Sequence, residues 1–275
     1  MKQVLKNYGD YLLVKKGLGE VTIVGYKASI RIVLKRLKTL EPTEQQIIDY
    51  IVWMYEKKYS YNHIVNTSLA IEWYFKFQGK VLKLGRPKKP KRLIKDTLTE
   101  AEVTKIIQAT KNIREKAILA LLAYSGLRNQ ELCNLRVCDV MLGDNLIRIL
   151  KGKGFKDRII HISGECCSIL LEYLNHYPRN SEEYFFTTLL KGRRYNENDL
   201  RKLVKVVSMR ARLNKRVYPH LFRHSLATNL LKRGAGITLI QRQLGHEWVE
   251  STMIYLRTYP QRVQNEYNLY IPSYN

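Results

Sequence analysis

Six side chains able to act on a phosphodiester follow one another along the chain: Arg128, Lys153, His220, Arg223, His246 and Tyr255. His220 and Arg223 share one helical turn, His220-Leu221-Phe222-Arg223. His246 closes Leu244-Gly245-His246, and Tyr255 follows nine residues on. A phenol has a reference pKa of about 10 and is neutral near pH 7. It attacks phosphorus usefully only where cations hold the phosphate and absorb the charge that develops on its oxygens. Five basic groups ahead of one phenol therefore point to cutting and rejoining a nucleic-acid strand through tyrosine.

Each residue type suits a separate task. Arg128 stands in Ser125-Gly126-Leu127-Arg128-Asn129-Gln130-Glu131-Leu132, where a glycine follows an apolar helix. That order predicts a helix end and a turn that aims Arg128 outward, with Glu131 pairing to a neighbour to hold it. A guanidinium presents a planar fork to two phosphate oxygens and stays charged. Lys153 sits in Lys151-Gly152-Lys153-Gly154-Phe155-Lys156-Asp157 and can hand a proton to a departing 5′ oxygen. Lys151 and Lys156 compete for that task, but the flanking glycines allow close approach to a backbone and favour Lys153. Spacing i, i+3 behind Pro219 puts His220 and Arg223 on one helix face, suited to gripping one phosphate. His224 lies four residues from His220, but the glutamate of an H-E-x-x-H motif and a third ligand are missing, so no metal is expected. A hydrogen-bonding structural role suits His224. His246, just past a helix-ending glycine, can donate to a non-bridging oxygen. Tyr255 is one of 19 tyrosines, and Tyr259, Tyr267, Tyr270 and Tyr274 follow it closely; its rank comes from what precedes it.

The totals fit a polyanion as partner. The chain has 275 residues, 45% hydrophobic and 26% charged, a globular composition sufficient for one large or two ordinary domains. Forty-eight Lys and Arg oppose 24 Asp and Glu, a formal net charge of +24. Neutralising phosphates releases counterions, so such a surface binds nucleic acid in a salt-dependent way. Charge alone does not separate an enzyme from a DNA-binding architectural protein. The four cysteines, Cys133, Cys138, Cys166 and Cys167, form no C-x-x-C pair and read as buried thiols of a reducing compartment. No apolar stretch approaches the ~18–20 residues of a membrane span, and Met1-Lys2-Gln3-Val4-Leu5-Lys6 has no signal core. A cytoplasmic protein with no membrane, cofactor or small-molecule partner is the expectation.

The elements that must position these groups are mostly helices. Residues 1–85 read as a helical bundle with a basic outer face: Ile30, Val33, Leu34 and Leu37 keep helical spacing, as do Ile47, Ile48, Ile51, Val52 and Tyr55. A further helix over 63–77 carries Ile64, Leu69, Trp73 and Phe77 as its apolar positions. Residues 86–96 hold six basic residues and two prolines and read as a linker, with Arg86, Lys88, Lys89, Lys91 and Arg92 as candidate DNA contacts. Thr99-Glu100-Ala101-Glu102 is a capping box, with Leu98 and Val103 placed as a staple, and opens a second domain over 97–275. Helices are predicted over 100–110, 112–124, 165–177, 197–212, 220–233, 237–244 and 250–258. Two β-type runs, 146–150 and 158–162, flank the glycine-punctuated turn and predict a hairpin.

On these motifs the chain resembles the tyrosine recombinases, the family of phage integrases and Xer proteins. The family's first arginine falls on Arg128 within Gly-Leu-Arg-x-x-Glu-Leu, and its hairpin lysine on Lys153 within Gly-Lys-Gly-x-x-Lys-Asp-Arg. Its His-x-x-Arg falls on His220 and Arg223, its Leu-Gly-His on His246 and its nucleophile on Tyr255. The resemblance implies a mainly α fold with a small antiparallel sheet: an N-terminal SAM-like core-binding bundle, then an α+β catalytic domain with a tail over 256–275. It also implies a clamp around double-stranded DNA, a homo-tetramer on two synapsed duplexes and a 3′-phosphotyrosine intermediate that needs neither metal nor ATP. The work would be Xer-like dimer resolution or the integration and excision of an element. A type IB topoisomerase shares the chemistry, and an architectural DNA-binding protein shares the charge.

Overall fold

The computed structural model describes residues 1–88, 96–150, 157–188 and 192–245. Lys89, Lys91, Arg92, Lys153, His246 and Tyr255, the turn around Lys153, the helix expected over 250–258 and the tail lie outside the described residues. The chain divides into two compact units, Met1–Leu93 and Ile94–Asn275.

The first unit is four helices: α1 (Lys2–Lys16), α2 (Glu20–Leu37), α3 (Glu44–Glu56) and α4 (Tyr61–Phe77). Thr43 and Gln46 form a reciprocal capping box at the start of α3, and Ser60 caps α4. Helix α4 is the centre of the bundle, with α1, α2 and α3 all packed on it. Its buried positions are Ile64, Thr67, Ser68, Ala70, Ile71, Tyr74 and Phe75. Of the expected apolar set, Ile64 is buried and Trp73 and Phe77 pack partly buried against the core, while Ser68 and Ala70 supply the small residues that a helix with three neighbours needs where they approach. The stripe read on α3 is corrected. Ile47, Tyr50 and Met54 are buried, whereas Ile48, Val52 and Tyr55 are 40%, 49% and 46% exposed. The lines 47–50–54 and 48–51–55 share i, i+3, i+7 spacing, and the structure buries the first. Two buried tyrosines keep their hydroxyls satisfied, Tyr8 on the Ala70 carbonyl at 2.8 Å and Tyr74 on that of Leu40 at 2.9 Å. Arg86 lies against this bundle, its Nη2 2.6 Å from Glu72 Oε2.

The second unit contains α5 (Glu100–Gln108), α6 (Ile113–Ser125), α7 (Asn129–Asn134), α8 (Gly164–His176), α9 (Glu197–Arg210), α10 (Pro219–Lys232) and α11 (Ile237–Leu244). It also holds an antiparallel sheet of β1 (Val140–Met141), β2 (Leu146–Ile149) and β3 (Arg158–His161), in that order. Helix α6 is its axis: residues 117–122 are all buried, and α5, α8 and α10 pack around it. A helix apolar on every side belongs inside a core. The capping box at Thr99 and Glu102 is present, and Leu98 beside it is fully buried. The Leu98 amide donates to Ser225 Oγ at 2.7 Å, which fastens the start of α5 to α10. In the hairpin Ile147 pairs with Ile160 and Ile149 with Arg158, and Ile147, Ile149 and Ile160 point into the core. Strand β1 and helix α7 were not foreseen. At two and six residues they are too short for periodicity to register.

Candidate active site

Helices α6 and α11 both end on a glycine in the left-handed region, Gly126 (φ 69°) and Gly245 (φ 62°). Both ends point at the same place. Each exposes carbonyls that no longer bond within the helix and carries the negative end of the helix dipole. Arg223 of α10 answers both: Nη1 donates to the Gly126 carbonyl at 2.5 Å and Nη2 to the Leu244 carbonyl at 2.6 Å. The side chain is 3% exposed, so its charge sits inside the unit and is held by backbone dipoles.

Arg128 reaches the next carbonyl. Its Nη2 donates to Gly245 O at 2.7 Å. The two guanidiniums therefore rest on consecutive peptide groups, Leu244 and Gly245, immediately before His246. The expectation that the turn aims Arg128 outward is corrected. Arg128 caps α7 and turns inward, its side chain 25% exposed, because Glu131 and the α11 carbonyl both draw it.

Glu131 is the counter-charge. It accepts the Arg128 amide at 2.8 Å and Arg128 Nη1 at 2.7 Å. Both terminal nitrogens of Arg158 donate to it at 2.8 Å. Burial alone would raise this carboxyl, which is 8% exposed. The Arg158 and Arg128 hydrogen bonds override that and hold it down at about 2. Burying a carboxylate is tolerable only with such full pairing.

His220 lies in the first turn of α10, exposed, with Tyr218 at the N-cap and Pro219 behind it. Its ring meets that of His224 edge to face at 5.0 Å. Among the described residues no three His, Cys, Asp or Glu side chains converge as metal ligands. His220 and Arg223, three residues apart on α10, differ in exposure, the first exposed and the second buried. A helix entering a core at its first turn buries its second turn more deeply.

Two positioning groups were not singled out from sequence. Gln243 uses its amide as a substitute strand: Oε1 accepts the His161 amide at 3.1 Å, and Nε2 donates to the His161 carbonyl at 2.7 Å. The same Nε2 donates to Ser125 O at 3.1 Å, so β3, α6 and α11 are joined at one side chain. No pattern marks a glutamine for that task. Arg158 had a signal, an arginine opening the isoleucine-rich β-run 158–162.

Comparison with known proteins gives the family. Residues 96–262 match the phage integrase family. Tyrosine recombinase XerA of Pyrococcus horikoshii is 38% identical over 221 residues, 78% of this chain and 76% of that protein. XerA of Pyrococcus furiosus is 34% identical over 267 residues, covering 93% and 89%. The crystal structure of XerA recombinase superposes with a TM-score of 0.58 at 28% identity, covering 99% of both chains. The Tn1549 transposon integrase in complex with transposon right end DNA shares the fold, with a TM-score of 0.72 at 18% identity, covering 98% of this chain and 99% of that one. The chain belongs to the phage integrase family and is a tyrosine recombinase, a DNA strand transferase of the site-specific class. The topoisomerase and architectural readings find no support in these relatives. No helix among the described residues is long and apolar enough to cross a membrane.

Proposed function

We propose that Tyr255 attacks a DNA phosphate, forming a 3′-phosphotyrosine bond and releasing a 5′-hydroxyl. Arg128, Arg223, His220 and His246 stabilise the charge that builds on the non-bridging oxygens. Lys153 gives the departing 5′ oxygen its proton as the phenol loses one, so the step is balanced. A 5′-hydroxyl from a second duplex reverses it. The bond to tyrosine conserves the phosphodiester's free energy, so no nucleotide drives the reaction. The observation that carries this reading is the meeting of Arg128 and Arg223 on the consecutive carbonyls of Leu244 and Gly245, one residue before His246.

The first unit, residues 1–85, serves as the core-binding module, and the basic segment 86–96 follows the DNA backbone between the units. Four protomers synapse two duplexes in a nucleoid-associated, cytoplasmic reaction. The resemblance of both units to Xer proteins supports this reading, as does the formal charge of +24.

The test uses nicked duplexes drawn from a randomised pool. Wild-type protein forms a denaturation-resistant adduct on the duplexes that carry its site. Tyr255→Phe loses the adduct and keeps binding; an adduct that persists removes Tyr255 from the role. A 5′-bridging sulfur leaves without a proton. It restores cleavage to Lys153→Ala and not to Arg223→Ala, and failure to restore it excludes Lys153 as the acid.

A further inference from the structure

We infer that Arg158, at the foot of the hairpin that carries Lys153, is a positioning residue: it neutralises Glu131 and braces Gly245 so that Arg128 stays directed at the phosphate. This deepens the functional reading above and rests on it.

Arg158 opens β3 and pairs in register with Ile149 of β2. Its fork takes both oxygens of Glu131 at 2.8 Å, while Arg128 takes the same carboxylate at 2.7 Å. Its stem fills the space a side chain at position 245 would need. A Cβ on Gly245 would stand 2.6 Å from both Cδ and Nε of Arg158 and 2.9 Å from Cζ. The Gly245 carbonyl in turn holds Arg128 Nη2 at 2.7 Å. The contacts close a ring: Arg158 to Glu131, Glu131 to Arg128, Arg128 to Gly245, Gly245 back onto Arg158. The hairpin, α7 and the end of α11 cannot shift separately while the ring is intact.

Charge gives the ring its purpose. Two guanidiniums and one carboxylate leave one net positive charge. Without Arg158 the remaining pair, Arg128 and Glu131, sums to zero. An incoming phosphate then meets a cancelled arginine, and Glu131 competes for the Nη1 that would otherwise turn to it. The loss falls on the chemical step, because uniform DNA binding comes from many phosphate contacts elsewhere.

The test measures single-turnover adduct formation on a nicked duplex recovered by the wild-type chain from the randomised pool. Arg158→Met slows adduct formation by roughly tenfold to a hundredfold at unchanged affinity, the scale of an ångström-level misplacement. Arg158→Lys, which keeps the charge without the fork, recovers part of the rate. In a Glu131→Gln background, Arg158→Met adds no further loss beyond about twofold, because the group it neutralises is gone. Independent, multiplying losses would overturn the inference, as would a wild-type rate in Arg158→Met. A second measurement needs no DNA. The Gly245 amide, bonded to Arg242 O at 3.2 Å, and the Arg128 amide, bonded to Glu131, exchange faster in Arg158→Met than global stability accounts for. Unchanged protection there sinks the brace even if cleavage falls. A wild-type chain that forms no adduct on any duplex removes the recombination mechanism, while amide exchange still decides the role of Arg158.

Discussion

At the scale of single residues, the site is a problem of storing positive charge. Arg223 is buried and leans on the carbonyl ends of two helices. One ammonium cannot span both. Arg223→Lys should therefore lower single-turnover adduct formation on the order of 100-fold while circular dichroism stays unchanged. Glu131 makes the opposite demand. Its carboxyl is held at about 2, below the ordinary 4.5, so it contributes stability that is complete above pH 4.5 and is lost as pH falls toward 2. The shift corresponds to on the order of 3 kcal/mol. Urea midpoints measured between pH 6 and pH 3 should fall steeply in the wild type. They should fall less in Glu131→Gln, which cannot titrate; equal slopes would show that the carboxylate is not the acid-sensitive group.

At the scale of elements, the functional groups are set by where helices stop. Gly126 ends α6 with φ 69°, and a Cβ there would stand 2.7 Å from Leu244 Cδ2 and 3.1 Å from Leu226 Cδ2. Gly126→Ala should cost about 1–2 kcal/mol from the left-handed backbone alone, read in urea unfolding. It should also slow cleavage, since it moves both the carbonyl that holds Arg223 and the leucine beside it. Thr99→Ala removes one half of a capping box that makes no contact with Arg128 or Arg223 and should cost about 1 kcal/mol with no change in the cleavage rate measured below the unfolding transition. Helices α8 and α9 are readable because each has one apolar face, and α6 because it is apolar on every side. On α3 and α4 the sequence gives the apolar positions but not which of them the neighbouring helices bury.

At the scale of the whole molecule, each unit has its own core. Leu12, Ile30, Ile47, Ile71 and Tyr74 lie in the first, and Ile118, Leu122, Ile160, Leu170 and Phe186 in the second. Residues 1–88 expressed alone should therefore unfold cooperatively in urea; a non-cooperative, featureless melt would contradict an independent core. The net charge of +24 sets the binding regime. Affinity for duplex DNA should fall on the order of 10³-fold between 50 and 200 mM salt, measured by fluorescence anisotropy, if about six phosphates are neutralised.

The sequence by itself determined the class of protein, a DNA strand transferase. Six residue types in a fixed order, the helix-ending glycines at 126 and 245, the capping box at Thr99 and the paired β-runs are local or ordinal features, and local features survive in a linear string. Only the tertiary structure decided how Arg128 and Arg223 are held. It turned Arg128 inward rather than outward, laid both guanidiniums on the carbonyls at the end of α11, and drew Arg158 and Gln243 into the same framework. Those contacts join positions separated by 21 to 118 residues. Nothing in spacing encodes them, because they depend on where separate helices terminate once their apolar faces have found one another.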